Sequence, residues 1–396
     1  MFWCILSFCY EHYLYGSEGD VIVKITFVLP PFSNYRSGGF KVVYEYANHL
    51  VRKGNEVTII YLWTREIQRY LWSQELERSG SGRPLPTLFL WLRQYLGLLA
   101  YNIQKPKLSW YRLHSSIKLV KLNSLEADRV PDADAIFATA WQTASYVNEC
   151  PREKGAKFYL VMDFAPWLGD KHELEQTWRL PLKKIAISNW LAELVLQAGV
   201  PKEDVEVISI AIDHDCFHII NNIRRRAKRV IMLYSLSAYK RSQLGLAILL
   251  KCKDAVSDLE ASLFGPLKKR PAELPSWIEY YGDVTESELR RLYNAASIYL
   301  CSSAAEGFAL PPAEAMACGC AVATTDCGGN RDYAEHEKTA LVSDPNDFVS
   351  LEKNVLQLLS DEELRVRIAF AGSYQIAQFT WEKSTQQLIK YVNLHS

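Results

Sequence analysis

Two glutamates, Glu306 and Glu314, lie eight positions apart near the middle of the second half of the chain. Four uncharged residues that can offer backbone N–H groups follow the first glutamate: Gly307, Phe308, Ala309 and Leu310. A loop with free N–H groups that leads into a helix N-terminus is a natural anion site. Carboxylates on either side of such a site can accept hydrogen bonds from hydroxyl groups. The pattern therefore suits a ligand that combines phosphate with a polyol, as a sugar nucleotide does.

The residues around these glutamates predict one strand–helix–strand step of a parallel sheet. Residues 298–301 and 321–324 are short apolar runs bounded by small residues, which is typical of buried strands. Between them, Pro311 and Pro312 suit a first helical turn, where a missing N–H costs nothing. We therefore predict a helix over residues 313–318 that ends at Gly319.

The 25-residue run EGFALPPAEAMACGCAVATTDCGGN, which starts at Glu306, resembles the E-x7-E signature of retaining glycosyltransferases in the large group 4 family. The resemblance implies the GT-B fold, in which two doubly wound, Rossmann-like α/β domains face each other across a cleft. It also implies that Glu306 approaches the transferred sugar and that Glu314 binds the ribose hydroxyls. The members that the run resembles are those of bacterial polysaccharide or glycolipid synthesis.

A first βαβ unit is predicted near the start of the chain, with strands over 21–29 and 57–61 and a helix over 40–52. Gly38 and Gly39 fall at its strand-to-helix turn, where paired glycines let a backbone approach a phosphate closely. The resemblance implies that this loop closes over the diphosphate. The spacing matches neither G-x-G-x-x-G nor a P-loop, which argues against a dinucleotide enzyme or an NTPase.

Basic residues that could neutralise a diphosphate follow the strand predicted over 230–236. The resemblance assigns this role to Lys240, whereas the arginine that relatives commonly place five positions earlier is Ser235 here. The adjacent Arg241 is the candidate for the second charge. The resemblance also implies that the nucleotide base lies against the backbone near Val284. Lys240 and Glu306 are the expected catalytic residues.

The length of 396 residues predicts two or three domains rather than a single core. We expect an N-terminal extension over 1–20, an acceptor-binding domain over 21–216, a polar linker over 217–229 and a donor-binding domain over 230–377. In proteins of the GT-B type the final helix, here within 378–396, crosses back to the first domain.

Composition restricts the possible partners and surroundings. The formal net charge is zero and the pI is near 7.1, which gives no case for nucleic-acid binding. The 9 cysteines show no disulfide or metal-site spacing, which indicates a reducing compartment. No apolar run approaches the roughly 18 residues of a membrane span. We expect a cytoplasmic enzyme that needs neither a metal nor a cofactor.

Residues 78–125 carry eight basic residues and no acidic ones: Arg78, Arg83, Arg93, Lys105, Lys107, Arg112, Lys118 and Lys121. Residues 88–101 within this segment are aromatic and apolar, with a single charge. A basic segment of this kind suits peripheral contact with an anionic membrane. An ordinary helix that packs on its own domain would show the same pattern, so both interpretations stay open.

The expected function is transfer of a sugar from a nucleoside-diphosphate donor to a hydroxyl of a glycan or lipid-linked acceptor. A sugar-nucleotide epimerase of the same fold is one alternative, and a glycosidic phosphorylase is another, although the latter's cofactor-lysine signature is missing. A glycosidase could instead use Glu306 and Glu314 as an acid–base pair. A non-catalytic sugar-nucleotide or glycan-binding protein is a further alternative. Ser235 replaces the usual arginine, Ile210-Ala211 replaces the Asn-Gly turn usual in the family, and residues 139–143 lack the histidine that many members have.

Overall fold

The computed structural model describes residues 22–32, 36–64, 106, 108–124, 126, 128–162, 164, 171–225 and 228–396. These residues form two parallel sheets, one of seven strands and one of six, with helices packed on them. The predicted pair of doubly wound α/β domains is therefore confirmed.

The first sheet has the strand order β3-β2-β1-β4-β5-β6-β7. Its strands are β1 (Lys24–Leu29), β2 (Glu56–Leu62), β3 (Lys118–Leu122), β4 (Ala135–Ala138), β5 (Ala156–Val161), β6 (Lys183–Ala186) and β7 (Val205–Val207). Its helices are α1 (Gly38–Arg52), α2 (Trp141–Glu149), α3 (Lys171–Trp178) and α4 (Asn189–Gln197). The order reverses between β1 and β4, and a crevice forms at such a switch point.

The second sheet has the strand order β10-β9-β8-β11-β12-β13, with its reversal between β8 and β11. Its strands are β8 (Arg229–Leu233), β9 (Glu260–Phe264), β10 (Ile278–Tyr280), β11 (Ile298–Cys301), β12 (Ala321–Thr325) and β13 (Leu341–Ser343). Its helices are α5 (Ser242–Ala255), α6 (Glu286–Ala295), α7 (Leu310–Ala317), α8 (Phe348–Ser360) and α9 (Glu362–Ile376).

Burial explains why the strands read as continuous apolar runs. All four residues of β4 and of β11 are buried, and β1 is buried after its first residue. Strands covered by helices on both faces cannot alternate polar and apolar residues. The helices that cover them begin with ordinary caps, such as Ser188 before α4 and the capping box of Thr285 and Glu288 before α6.

Several predicted boundaries were wrong. Helix α7 begins at Leu310 rather than at residue 313, because Ala309 takes a left-handed conformation (φ 65°) and starts the helix before the two prolines. The apolar pattern of residues 205–212 predicts one strand over that whole range, but β7 ends at Val207. Strand β8 ends at Leu233 rather than at 236. Helix α9 was not predicted, because its apolar residues follow no strong one-sided pattern.

The last helix, α10 (Trp381–His395), packs on α1 of the first domain. The Trp381 ring lies 5.1 Å from that of Tyr46, and the Tyr391 ring lies 5.9 Å from that of Phe158. Ser384 Oγ also donates to the carbonyl of Ser209 at 2.7 Å. The end of the chain thus contributes to the core of the N-terminal domain.

The expected extension over 1–20 lies outside the described residues, as do 78–105, 107 and 125 of the basic segment. Two of its lysines belong to β3, where Lys118 Nζ lies 3.6 Å from Glu56 Oε2 and Lys121 lies over the Phe32 ring. Within the described ranges, none of the helices is long and apolar enough to cross a bilayer.

Candidate active site

The loops after β8 and β11 meet at the switch point of the second sheet. Lys240 belongs to the first loop and Glu306 to the second, and their side chains form an ion pair with Nζ 2.5 Å from Oε1. Ser303 Oγ donates to the same carboxylate oxygen at 2.7 Å. The two expected catalytic residues are therefore in direct contact.

The charge of Lys240 is maintained by its partner. Burial alone would lower the pKa of this lysine, but the Glu306 carboxylate outweighs burial, so the pKa is raised above its ordinary value. The pair is largely shielded from water, with side chains 16% and 13% exposed. A charged ammonium group in such a position can stabilise negative charge strongly, because water screens it little.

The N-terminus of α7 opens next to Glu306. The Tyr333 hydroxyl donates to the carbonyl of Ala309 at 2.6 Å and fixes the turn that starts the helix. Across the described part of the chain, no hydrogen bond joins the backbone N–H groups of Gly307, Phe308, Ala309 or Leu310 to another backbone carbonyl outside the helix. These N–H groups lie at the N-terminus of α7, where the helix dipole favours negative charge, so the predicted anion site stays a prediction.

Glu314 lies in α7 and is almost completely buried. Its Oε1 is 3.0 Å from Lys41 Nζ, which belongs to α1 of the other domain, and its Oε2 faces the Tyr293 hydroxyl at 3.5 Å. Burial raises the pKa of Glu314, and Lys41 opposes that rise. Glu314 is thus one of the residues through which the two domains contact each other.

Gly38 and Gly39 form the first turn of α1, directly across the cleft from α7. A Cβ on Gly38 would lie 3.6 Å from Leu310 Cδ1, and one on Gly39 would lie 3.5 Å from Met162 Cε. A Cβ on Gly307 would lie only 1.9 Å from the Met162 carbonyl oxygen. The two helix N-termini therefore face each other with the domains closed.

Val284 and Arg241 have other surroundings. Arg36, from the loop before α1, donates to the Val284 carbonyl, and its Nε lies 3.3 Å from Asp283 Oδ1. The Arg241 guanidinium donates to the Pro345 carbonyl at 2.5 Å and lies over the Phe348 ring. The structure therefore brings the other predicted residues to the cleft, but these contacts hold Arg241 apart from the Lys240–Glu306 pair.

Sequence reasoning missed Arg36 and Lys41, the two basic residues that reach across the cleft. One signal was present for Lys41, since a lysine in the first turn of a helix opposes the positive end of the helix dipole. Arg36 offered no such signal, because a single arginine in a polar loop is ordinary. The partners of Arg36 and Lys41 belong to the other domain, and the sequence near these two residues does not specify which residues they will contact.

Residues 221–373 match the model of the family Glycosyl transferases group 1. The chain is 39% identical over 119 residues to the O-antigen chain mannosyltransferase B of Escherichia coli, which is 30% of each protein. It is 26% identical over 269 residues to the O-antigen biosynthesis protein RfbC of Myxococcus xanthus, which is 66% of this chain and 21% of RfbC. The matches thus span less than a third of the length of these relatives.

Solved structures resemble the whole architecture. HepE of Anabaena in complex with UDP-glucose superposes with a TM-score of 0.69 at 15% identity, over 94% of this chain and 100% of HepE. Sucrose-phosphate synthase of Thermosynechococcus elongatus gives a TM-score of 0.69 at 14% identity, over 94% and 98%. These likenesses, together with the family match, confirm the predicted GT-B fold.

Proposed function

We propose, from the match of residues 221–373 to the family Glycosyl transferases group 1, that the protein transfers a sugar from a nucleoside-diphosphate sugar to a hydroxyl acceptor, with retention at the anomeric carbon. The O-antigen relatives and the HepE complex with UDP-glucose support glycan synthesis from a nucleotide sugar.

One observation carries the proposal. Lys240 and Glu306 are in contact at the N-terminus of α7, at the switch point of the donor-side sheet. A lysine, a row of N–H groups and a carboxylate at that point suit a diphosphate joined to a sugar. The N-terminus of α1 with Gly38 and Gly39 closes the other side of the cleft.

The leaving group in this reaction is a diphosphate that gains negative charge as the glycosidic bond to the donor breaks. Lys240 and the N–H groups of residues 307–310 stabilise this charge, without a cofactor or a metal. Preorganised donors of this kind contribute most because they need no rearrangement in the transition state, and loss of one costs roughly 10²–10³ in rate.

The two glutamates have separate tasks. Glu306 orients the hydroxyls of the sugar and favours its positively charged, oxocarbenium-like transition state. Glu314 accepts from the ribose and contributes mainly to donor binding. The departing phosphate takes the proton of the acceptor hydroxyl, and closure of the domains excludes water that would hydrolyse the donor.

The acceptor is proposed to be a glycan or a lipid-linked glycan bound by the N-terminal domain at the cytoplasmic face of a membrane. The basic segment 78–125 would supply the attachment. Flotation with vesicles that contain or lack anionic lipid tests this part, and binding that ignores lipid charge would contradict it.

The donor site is tested by thermal unfolding with a panel of UDP, GDP, ADP and dTDP sugars. A bound donor stabilises the folded state by mass action, by about 2.7 kcal/mol when its concentration is 100 times Kd. We expect one nucleotide series to raise the unfolding temperature and the others to have no effect. A panel without any stabilising nucleotide sugar would contradict the proposed function.

Catalysis is then separated from simple binding by measuring release of the nucleoside diphosphate with the stabilising donor, and by NMR of the anomeric configuration of the product. We expect release in the wild type and none above background in Glu306→Ala. A protein that binds the donor but releases no nucleoside diphosphate, with any acceptor or with water, would favour the non-catalytic alternative.

A further inference from the structure

Lys41 is the one basic side chain described here that contacts Glu314 from across the cleft. Its Nζ lies 3.0 Å from Glu314 Oε1 and 2.7 Å from Glu286 Oε1, and these acids belong to α7 and α6 of the opposite domain. Its side chain is 15% exposed and that of Glu314 is 8% exposed. A buried lysine thus joins the domains at a residue that the proposed function assigns to the donor ribose.

The position is unfavourable for a lysine within its own helix. Lys41 lies in the first turn of α1, where the helix dipole disfavours a positive charge and burial adds a desolvation cost. Burial would lower the pKa of Lys41, yet the carboxylates of Glu314 and Glu286 raise it above the ordinary value. The charge of the lysine therefore depends mainly on carboxylates of the opposite domain, to which Glu45 of its own helix adds a smaller effect.

The contact with Lys41 uses only one of the two carboxylate oxygens of Glu314. Lys41 occupies Oε1, whereas Oε2 faces Tyr293 Oη at 3.5 Å, which is the limit of a hydrogen bond. A carboxylate oxygen has two lone-pair sites, so Oε2 keeps the capacity to accept a further hydrogen bond. The contact with Lys41 fixes the direction in which that oxygen points.

We propose that Lys41 is a positioning residue of the donor site, which holds the Glu314 carboxylate in place for the ribose and so couples donor binding to closure of the domains. This inference rests on the proposed function. Lys41 acts through Glu314 and touches no reacting atom, so its loss weakens donor binding more than it slows chemistry.

The test compares K41M, which keeps the apolar stem but loses the charge, with K41R, which keeps the charge. The probe is UDP-glucose or GDP-mannose, whichever stabilises the wild type. We expect K41M to raise the donor KM about tenfold or more while kcat stays within about threefold, since the lost contact serves binding. K41R should restore KM to within about threefold of wild type.

A second comparison asks whether Lys41 acts through Glu314. In a double-mutant cycle, K41M should raise KM in the wild-type background and add almost nothing in the E314Q background. The matched control is K251M, which removes the exposed Lys251–Glu352 ion pair outside the cleft and should leave both kinetic constants unchanged. If K41M is unfolded at the assay temperature, K41Q, whose amide can donate to one carboxylate, replaces it.

The possible outcomes separate this inference from the proposed function. A wild type that binds a nucleotide sugar, with a K41M variant of equal KM, overturns the inference alone. So does a K41M variant that loses kcat at constant KM, or a KM effect that persists in full with E314Q. A wild type that no nucleotide sugar of the panel stabilises contradicts the proposed function and the inference together.

Discussion

At the scale of single residues, one oxygen of Glu306 accepts from both Lys240 and Ser303. This concentration of donors on Oε1 fixes the carboxylate and leaves its other oxygen for a ligand. Lys240 in turn owes its charge to Glu306. Each residue of the pair therefore prepares the other for the chemistry proposed at this point.

The first prediction concerns the charge of Glu306. Glu306→Gln keeps the shape and can still accept from Lys240, but it removes the negative charge near the sugar. We expect kcat to fall by about 10²–10³, with a smaller change in donor KM, because the charge matters most in the transition state. Initial rates of nucleoside-diphosphate release measure the effect. Glu335→Gln, at an exposed residue outside the pair, is the control and should leave kcat unchanged. An unchanged kcat in Glu306→Gln would show that Glu306 has no part in the mechanism.

The second prediction concerns Glu45, a buried acid on α1. Burial raises its pKa to about 7, against an ordinary value of 4.5. Between about pH 4.5 and pH 7 the folded state thus binds a proton that the unfolded state has released, so stability falls as the pH rises through this window. Glu45→Gln cannot ionise and should avoid this loss.

We therefore expect Glu45→Gln to match the wild type near pH 4 and to exceed its free energy of unfolding at pH 8 by an amount on the order of 1–3 kcal/mol. Urea unfolding at the two pH values measures the difference. The same substitution at the exposed Glu203 should change neither value. A wild-type advantage at pH 8 would show that the ionised Glu45 is instead stabilised by its neighbours.

At the scale of elements, the loop before α7 packs so closely on the first domain that residue 307 cannot carry a side chain. Gly307 approaches the Met162 carbonyl of the first domain so closely that a Cβ would be 1.9 Å from the oxygen. Because the obstacle is backbone, no rotamer change can relieve the clash. The loop therefore controls how closely the domains approach.

Gly307→Ala should keep both domains folded but prevent their full closure. We expect kcat/KM to fall about 100-fold, as a displacement of about 1 Å can cause. The measurement is steady-state kinetics together with thermal unfolding. The control is Gly199→Ala, which has open space around it but a φ of +88°, so it should lose about 1 kcal/mol of stability and keep its activity. Normal turnover in Gly307→Ala would show that closure is not required.

At the scale of the whole molecule, the last helix and several contacts across the cleft hold the domains together. Helix α10 follows the C-terminal domain in sequence but packs on α1 of the N-terminal domain. Asp332 of the C-terminal domain accepts from the backbone N–H of Asn189 at 3.2 Å. Arg36 and Lys41 add ion pairs across the cleft. The closed arrangement is thus stabilised at several separate points.

Trp381 should contribute most to the attachment of α10, because its buried ring packs on Tyr46 and His49. We expect Trp381→Ala to lower the free energy of unfolding by about 3–5 kcal/mol, the usual cost of removing a buried aromatic ring. Urea unfolding followed by circular dichroism measures it. Tyr374→Ala, at a residue that is 75% exposed, should change stability by less than about 0.5 kcal/mol. Equal stabilities would mean that α10 is only loosely attached.

The sequence by itself determined the two parallel α/β domains and the residues that lie at the switch point of the second sheet. Continuous apolar runs such as 298–301 predict strands buried on both faces, and the spacing of Glu306 and Glu314 lies within a single strand–helix step. Such signals are local, because they depend on which residues pack within one or two neighbouring elements. The boundaries failed where a single backbone angle decided them, as at Ala309.

Only the tertiary structure decided which residues meet across the cleft. Lys41 contacts Glu314 over a separation of 273 residues, and Arg36 contacts Val284 over 248. Lys240 and Arg241 are adjacent in sequence, yet one binds Glu306 and the other binds Pro345. The reason is physical: these contacts depend on how two complete domains are placed against each other, and no periodicity or spacing within either domain encodes that placement.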